Sequence, residues 1–155
     1  MMQKGVLLLN VDFIKTLLDF EKRGFTGYIA LCIAGLNGLE EGTILYDGGK
    51  IVGSFYEYFK LDKTFEGKDA FQRLLNASAA KNGVFDVITL TPEQVKLVLA
   101  VNEKTVFVPD QKQFEQVKVK EFSPAFEQEA IETVRRENKG ELLKKYKLGD
   151  LNIEG

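Results

Sequence analysis

The residues best equipped for chemistry gather around one stretch. Glu40, Glu41, Asp47, Glu57 and Glu66 flank Gly48-Gly49-Lys50. Paired carboxylates can pass protons or hold a hard cation once something fixes their geometry. Here the spacing lacks the D-x-[DN]-x-[DN]-G order of a calcium loop, so the acids read as solvated side chains and Asp47 as a turn former. Gly48-Gly49-Lys50 carries part of a phosphate-binding loop, but Ile44 stands where that pattern needs glycine and Ile51 where it needs a hydroxyl.

The remaining chemistry is sparse. The chain has no histidine, which removes the usual general base near neutral pH, most zinc sites and every imidazole-dependent triad. Ser54, Ser78 and Ser123 lie outside any G-x-S-x-G turn. The single cysteine, Cys32, sits between Leu31 and Ile33 and reads as a core thiol rather than a nucleophile. The residues therefore assign no catalytic, cofactor or metal site. Enzyme activity ranks third among the readings, since carboxylates and lysines can still catalyse without histidine.

Composition narrows the partners. With 21 basic against 23 acidic residues in 155, the net charge of −2 offers no positive field for nucleic acid. The apolar stretch near Met1 is too short for a signal core or a membrane span, so the expectation is a cytoplasmic protein without membrane insertion.

The elements that must position these residues follow from periodicity. Asn10 reads as the cap of a helix from Val11 to Lys22 closed by Gly24, and Phe25–Ile33 as a central strand covered on both faces. Ala34–Gly42 reads as a flexible glycine loop. Thr43–Tyr46 and Lys50–Tyr58 then form a hairpin turned by Asp47, Gly48 and Gly49, whose glycines accept the positive φ of a tight turn. Leu61–Lys68 is polar and turn-like, Asp69–Ala80 helical, and Val84–Leu90 a further strand. Thr91-Pro92-Glu93-Gln94 has the cap, the N1 proline and the glutamine of a capping box, opening a helix to about Val101. Thr105–Val108 is a candidate short strand, and Lys112–Phe122 is ambiguous. Ser123-Pro124 begins a helix ending near Asn138–Gly140, with a last helix from Glu141 to Leu148. The lysines Lys139, Lys144, Lys145 and Lys147 alternate with Glu137 and Glu141 as a solvated face.

The expected class is α+β: a mainly antiparallel sheet of about four or five strands with a central hairpin, packed against helices. Residues 1–108 form this domain and 109–155 a helical extension packed on it.

The pieces Phe25-Thr26-Gly27-Tyr28-Ile29, Glu41 to Gly53, Ala70-Phe71 with Leu74-Leu75, and Gly83-Val84-Phe85 carry a resemblance to the PATAN-type domains of bacterial response regulators, over about residues 7–90. The chain resembles still more closely an uncharacterised archaeal family with the same pattern, to which Thr91–Gln94 and Glu141–Tyr146 also correspond. The resemblance implies a compact α+β module without established catalysis, thought to mediate protein contacts in regulatory or motility-related systems. It brings no catalytic residue, and this chain lacks the receiver domain of the bacterial arrangement.

Two functions from different classes follow. The first is a non-enzymatic regulatory or scaffolding module that binds a protein partner or a second copy of itself through a sheet edge or an aromatic patch at Tyr56, Tyr58 and Phe59. Phe55 to Phe59 holds more aromatic surface than one strand face buries, and interface patches favour tyrosine, but the run reads first as core whose tyrosine hydroxyls reach solvent at its rim. The second is a small-molecule sensor with a pocket between the sheet and the Asp69–Ala80 helix.

Overall fold

The computed structural model describes residues 3–36, 38–109 and 124–145, with side chains of the last segment described for 127–140. The chain divides into two compact units at the Ser123/Pro124 junction. The first unit holds six strands, β1 (Gln3–Leu7), β2 (Gly27–Gly35), β3 (Gly38–Asp47), β4 (Lys50–Tyr58), β5 (Lys63–Glu66) and β6 (Val84–Thr89), with helices α1 (Phe13–Lys22), α2 (Lys68–Ala77) and α3 (Pro92–Val101). The second holds α4 (Pro124–Lys145). The strands form one open sheet in the order β1-β6-β2-β3-β4-β5, and every pairing is antiparallel.

The sheet thus has six strands where four or five are expected, because both edges are hard to read. Along β1, Gly5 takes φ +66° and the register with β6 shifts there, which breaks period-two alternation. Strand β5 is Lys63-Thr64-Phe65-Glu66, polar because an edge strand keeps one side in water. Its polarity is what makes Leu61–Lys68 read as a turn.

Alternation assigns the faces. Ile29, Leu31 and Ile33 of β2, Ile44 and Tyr46 of β3, and Phe85 and Val87 of β6 are buried on one side, which we call the inner face. Helix α1 covers part of it: Phe13 meets Phe85 edge-on at 5.7 Å, and the Tyr46 hydroxyl donates to the Leu17 carbonyl at 3.1 Å. Helix α2 covers the rest with Ala70, Phe71, Leu74 and Leu75. Its approach explains Gly42, where an added Cβ would lie 2.7 Å from Leu74 Cδ1 and 2.8 Å from the Tyr56 ring.

The turn residues behave as expected. Asp47 pairs with Lys50 across Gly48 and Gly49, at φ +58° and +85°. The tip is also anchored, since Gly48 N–H donates to Thr26 Oγ1 and Gly49 N–H to the Phe25 carbonyl. A Cβ on Gly49 would stand 2.4 Å from the Glu21 carbonyl oxygen, so the hairpin packs its backbone on the end of α1.

Several local readings are corrected. The cap of α1 is Asp12, whose carboxylate accepts from Lys15 N–H at 3.1 Å, while Asn10 lies in a preceding 3-10 turn. Residues 34–35 and 38–42 belong to strands rather than to a flexible loop, because β2 and β3 continue pairing as far as Gly35 and Gly38. Thr105–Val108 is no strand: Glu103–Thr105 is a 3-10 turn, and Val106 makes a single bridge to Gly53. Helix α4 runs through Gly140 without the expected break. Lys112–Phe122, like the end of the expected last helix, lies outside the described residues. The Thr91/Gln94 capping box of α3 is present in full.

Candidate functional site

Strand β4 presents its aromatic run to both faces, and Tyr56 and Tyr58 follow the core reading rather than the patch. Tyr56 and Tyr58 point inward and are 1% and 3% exposed, so they form no surface, whereas Phe59 just beyond the strand is 47% exposed. The physical reason lies in their partners. Tyr56 donates a 2.7 Å hydrogen bond to Glu40 Oε1, and Tyr58 lies within reach of the Arg73 guanidinium at 3.4 Å, which stacks 3.9 Å over the Phe65 ring. Buried tyrosine hydroxyls need such partners, and α2 and β3 supply them.

The opposite, outer face is only partly covered, which corrects the reading of β2 as a strand buried on both sides: Tyr28, Ala30 and Cys32 are half-buried. Helix α3 lies over one end of this face, burying Val95 and resting Leu99 against Gly53. Between helix and sheet opens a cleft of about 460 Å³ lined by Tyr28, Glu41, Thr43, Leu45, Phe55, Leu90, Gln94, Leu97 and Val98. It lies across the sheet from α2, where a pocket is expected from sequence. Gln94, Leu97, Val98 and Val101 recur at i, i+3, i+4 and i+7, so α3 carries a second stripe along the cleft and its mouth besides the one that packs. Leu97 is 65% exposed and Val101 74%.

Beyond Thr43 the outer face becomes acidic. Glu41 pairs in register with Glu57 on β4 and with Cys32 on β2, and Asp86 follows one row away opposite Ala30. Glu41 is pushed above the ordinary carboxylate range, first by burial, then by the charges of Glu57 and Asp86. Asp86 accepts from the Gly5 N–H at 2.7 Å. Among the described residues, no lysine or arginine pairs with Glu41 or Glu57.

The acids seen in sequence therefore separate. Glu40 is buried on the inner face, Glu41 and Glu57 meet on the outer face, Glu66 stands exposed opposite Phe55, and Asp47 sits at the turn. Among the described residues no group of three potential ligands is placed to hold a metal ion. Cys32 is half-exposed beside Glu41 rather than in the core. Burial, then Glu41 and Asp86, raise its thiol, which keeps the nucleophilic thiolate scarce. The α3 stripe and the cleft are what sequence reasoning missed; the signal was Leu97 and Val101 falling off the face that Val95 and Leu99 define.

Fold and site define an α+β module built on one antiparallel sheet with an apolar cleft on its open face. Residues 2–102 match the model of a family described as uncharacterized protein conserved in archaea (DUF2226), and the chain belongs to that family. No curated protein and no solved structure matches the chain. Among the described residues, no helix is long and apolar enough to cross a membrane.

Proposed function

We propose that the protein is a non-enzymatic interaction module, regulatory or scaffolding in role, and that its docking face is the cleft between α3 and the outer face of the sheet. The observation that carries this reading is the exposure of Leu97 at the cleft rim, continued by Val101: apolar side chains left in water along a groove mark a surface that a partner covers. The likeness to PATAN-type domains, as mediators of protein contacts, points the same way. The lack of histidine in the chain and the protonated thiol of Cys32 favour binding over catalysis.

Affinity capture from the native host with the wild-type chain and with Leu97→Asp tests the reading. Partners retained by the wild type are expected to be lost by the variant, which keeps its fold because the side chain is exposed. An identical captured set from both chains would refute the cleft as the docking face.

A second reading, a small-molecule sensor, is favoured by the volume of the cleft, which falls in the range of about 300–1,000 Å³ typical of ligand pockets. A thermal-shift screen against metabolites separates the two, since a ligand selective for the folded state raises the melting temperature.

A further inference from the structure

We propose that the segment docked in this cleft is basic and amphipathic, placing apolar side chains over Phe55, Leu97 and Val98 and a lysine or arginine between Glu41 and Glu57. The inference rests on the docking reading above and adds the chemistry of the partner to it.

Leu45, Thr43 and Glu41 occupy alternate positions of β3, so they follow one another along the same face. Leu45 and Thr43 are themselves buried in the floor, 1% and 4% exposed, so a segment entering the cleft meets the half-buried Phe55 ring beside Thr43 and then the half-buried Glu41 carboxylate two residues further along β3, about 7 Å away. Both ends belong to one surface, because Leu45, Thr43 and Glu41 all line the cleft.

Glu41 and Glu57 stand directly opposite one another on adjacent antiparallel strands, where like charges are unfavourable. Neither is paired with a cation among the described residues. Both carboxylates therefore keep acceptor capacity toward the mouth of the cleft. An incoming ammonium or guanidinium relieves the repulsion and gains charge-assisted hydrogen bonds in the same step. An anionic segment would add a third charge to the pair. An uncharged one would leave the repulsion in place. Complementarity thus selects a cationic partner over the alternatives.

The test uses the full chain, immobilised, to select from a random-peptide phage library, followed by titration of the enriched peptides made synthetically. The expected enriched sequences combine apolar residues with a lysine or arginine. Their affinity is expected to fall about tenfold for the Glu41→Gln/Glu57→Gln double variant and to weaken with added salt. Leu97→Asp should abolish binding.

Peptides that lose binding with Leu97→Asp but carry no cation, and that ignore Glu41→Gln/Glu57→Gln, would overturn the inference while leaving the docking reading intact. Enriched peptides indifferent to Leu97→Asp would overturn both. A wild-type chain that dimerises in solution while Leu97→Asp is monomeric would place a second copy in the cleft and also overturn the inference. Circular dichroism of each variant confirms that its fold is kept.

Discussion

Two neighbouring residues, Glu40 and Glu41, divide the molecule between them. Alternation along β3 sends Glu40 inward, where it is 1% exposed and accepts a hydrogen bond from the Tyr56 hydroxyl, and Glu41 outward, where it faces the like charge of Glu57. The inner face is an interior: helices cover it, glycine at 42 lets α2 close on the sheet, and the hydroxyls of Tyr46 and Tyr56 donate to the Leu17 carbonyl and to Glu40. The outer face is half a surface, with an apolar cleft at one end and a charge conflict at the other. A sheet with one packed face and one partly covered face puts most of its stability in the first, and the second is the face on which we propose that a partner docks.

The comparison breaks most plainly by truncating one leucine on each side. Leu74 of α2 is fully buried against Gly42 and the inner face. Leu74→Ala is expected to lower stability by about 2–5 kcal/mol, the usual range for a leucine removed from a packed core. Leu97→Ala on α3, largely exposed, should stay within about 0.5 kcal/mol. Urea unfolding of both variants measures the difference, and equal losses would mean that the cleft is part of the core.

The next effect concerns the tyrosines. Tyr56→Phe keeps the ring and its contacts with Tyr58 while deleting the hydrogen bond to Glu40. The expected loss is about 1–3 kcal/mol, because a buried carboxylate then gives up a donor it cannot replace from water. No change in the unfolding midpoint would show that the bond contributes nothing to the inner face.

What was legible in the chain follows the same division. The hairpin at Gly48-Gly49, the capping box at Thr91 and Gln94, and the alternation along Phe55–Phe59 could all be read because each depends on residues close in sequence. The direction of Tyr56 relative to Phe55 was readable too, but not which direction led inside. That depended on α2 packing over Gly42, where Leu74 comes from beyond β5, 32 residues (74 − 42) further along the chain. The edge strands were hidden by a glycine bulge in β1 and by polarity in β5. The cleft was hidden for a related reason: α3 reads as an ordinary amphipathic helix, and only the sheet beneath it shows that Leu97 and Val101 remain uncovered.

The smallest expected effect tests the outer face through pH. Glu41 faces Glu57 on β4, Cys32 on β2 and Asp86 on β6, and its carboxyl is raised above the ordinary value of 4.5, by burial first and then by Glu57 and Asp86. A folded-state value above the unfolded one means that the native protein holds this proton more tightly. The resulting contribution to stability is fully present below the ordinary carboxylate value and is lost as pH rises through the raised one. Glu41→Gln removes that titration together with the repulsion from Glu57. The variant is expected to match the wild type in acid and to gain on it as pH rises toward neutral, by about 0.2–1 kcal/mol, the scale of a cross-strand pair. Urea midpoints measured side by side from acid to neutral pH decide the matter. Two parallel curves would place the conflict at Glu41 in bulk solvent, and the outer face would then have no charge preference to offer a partner.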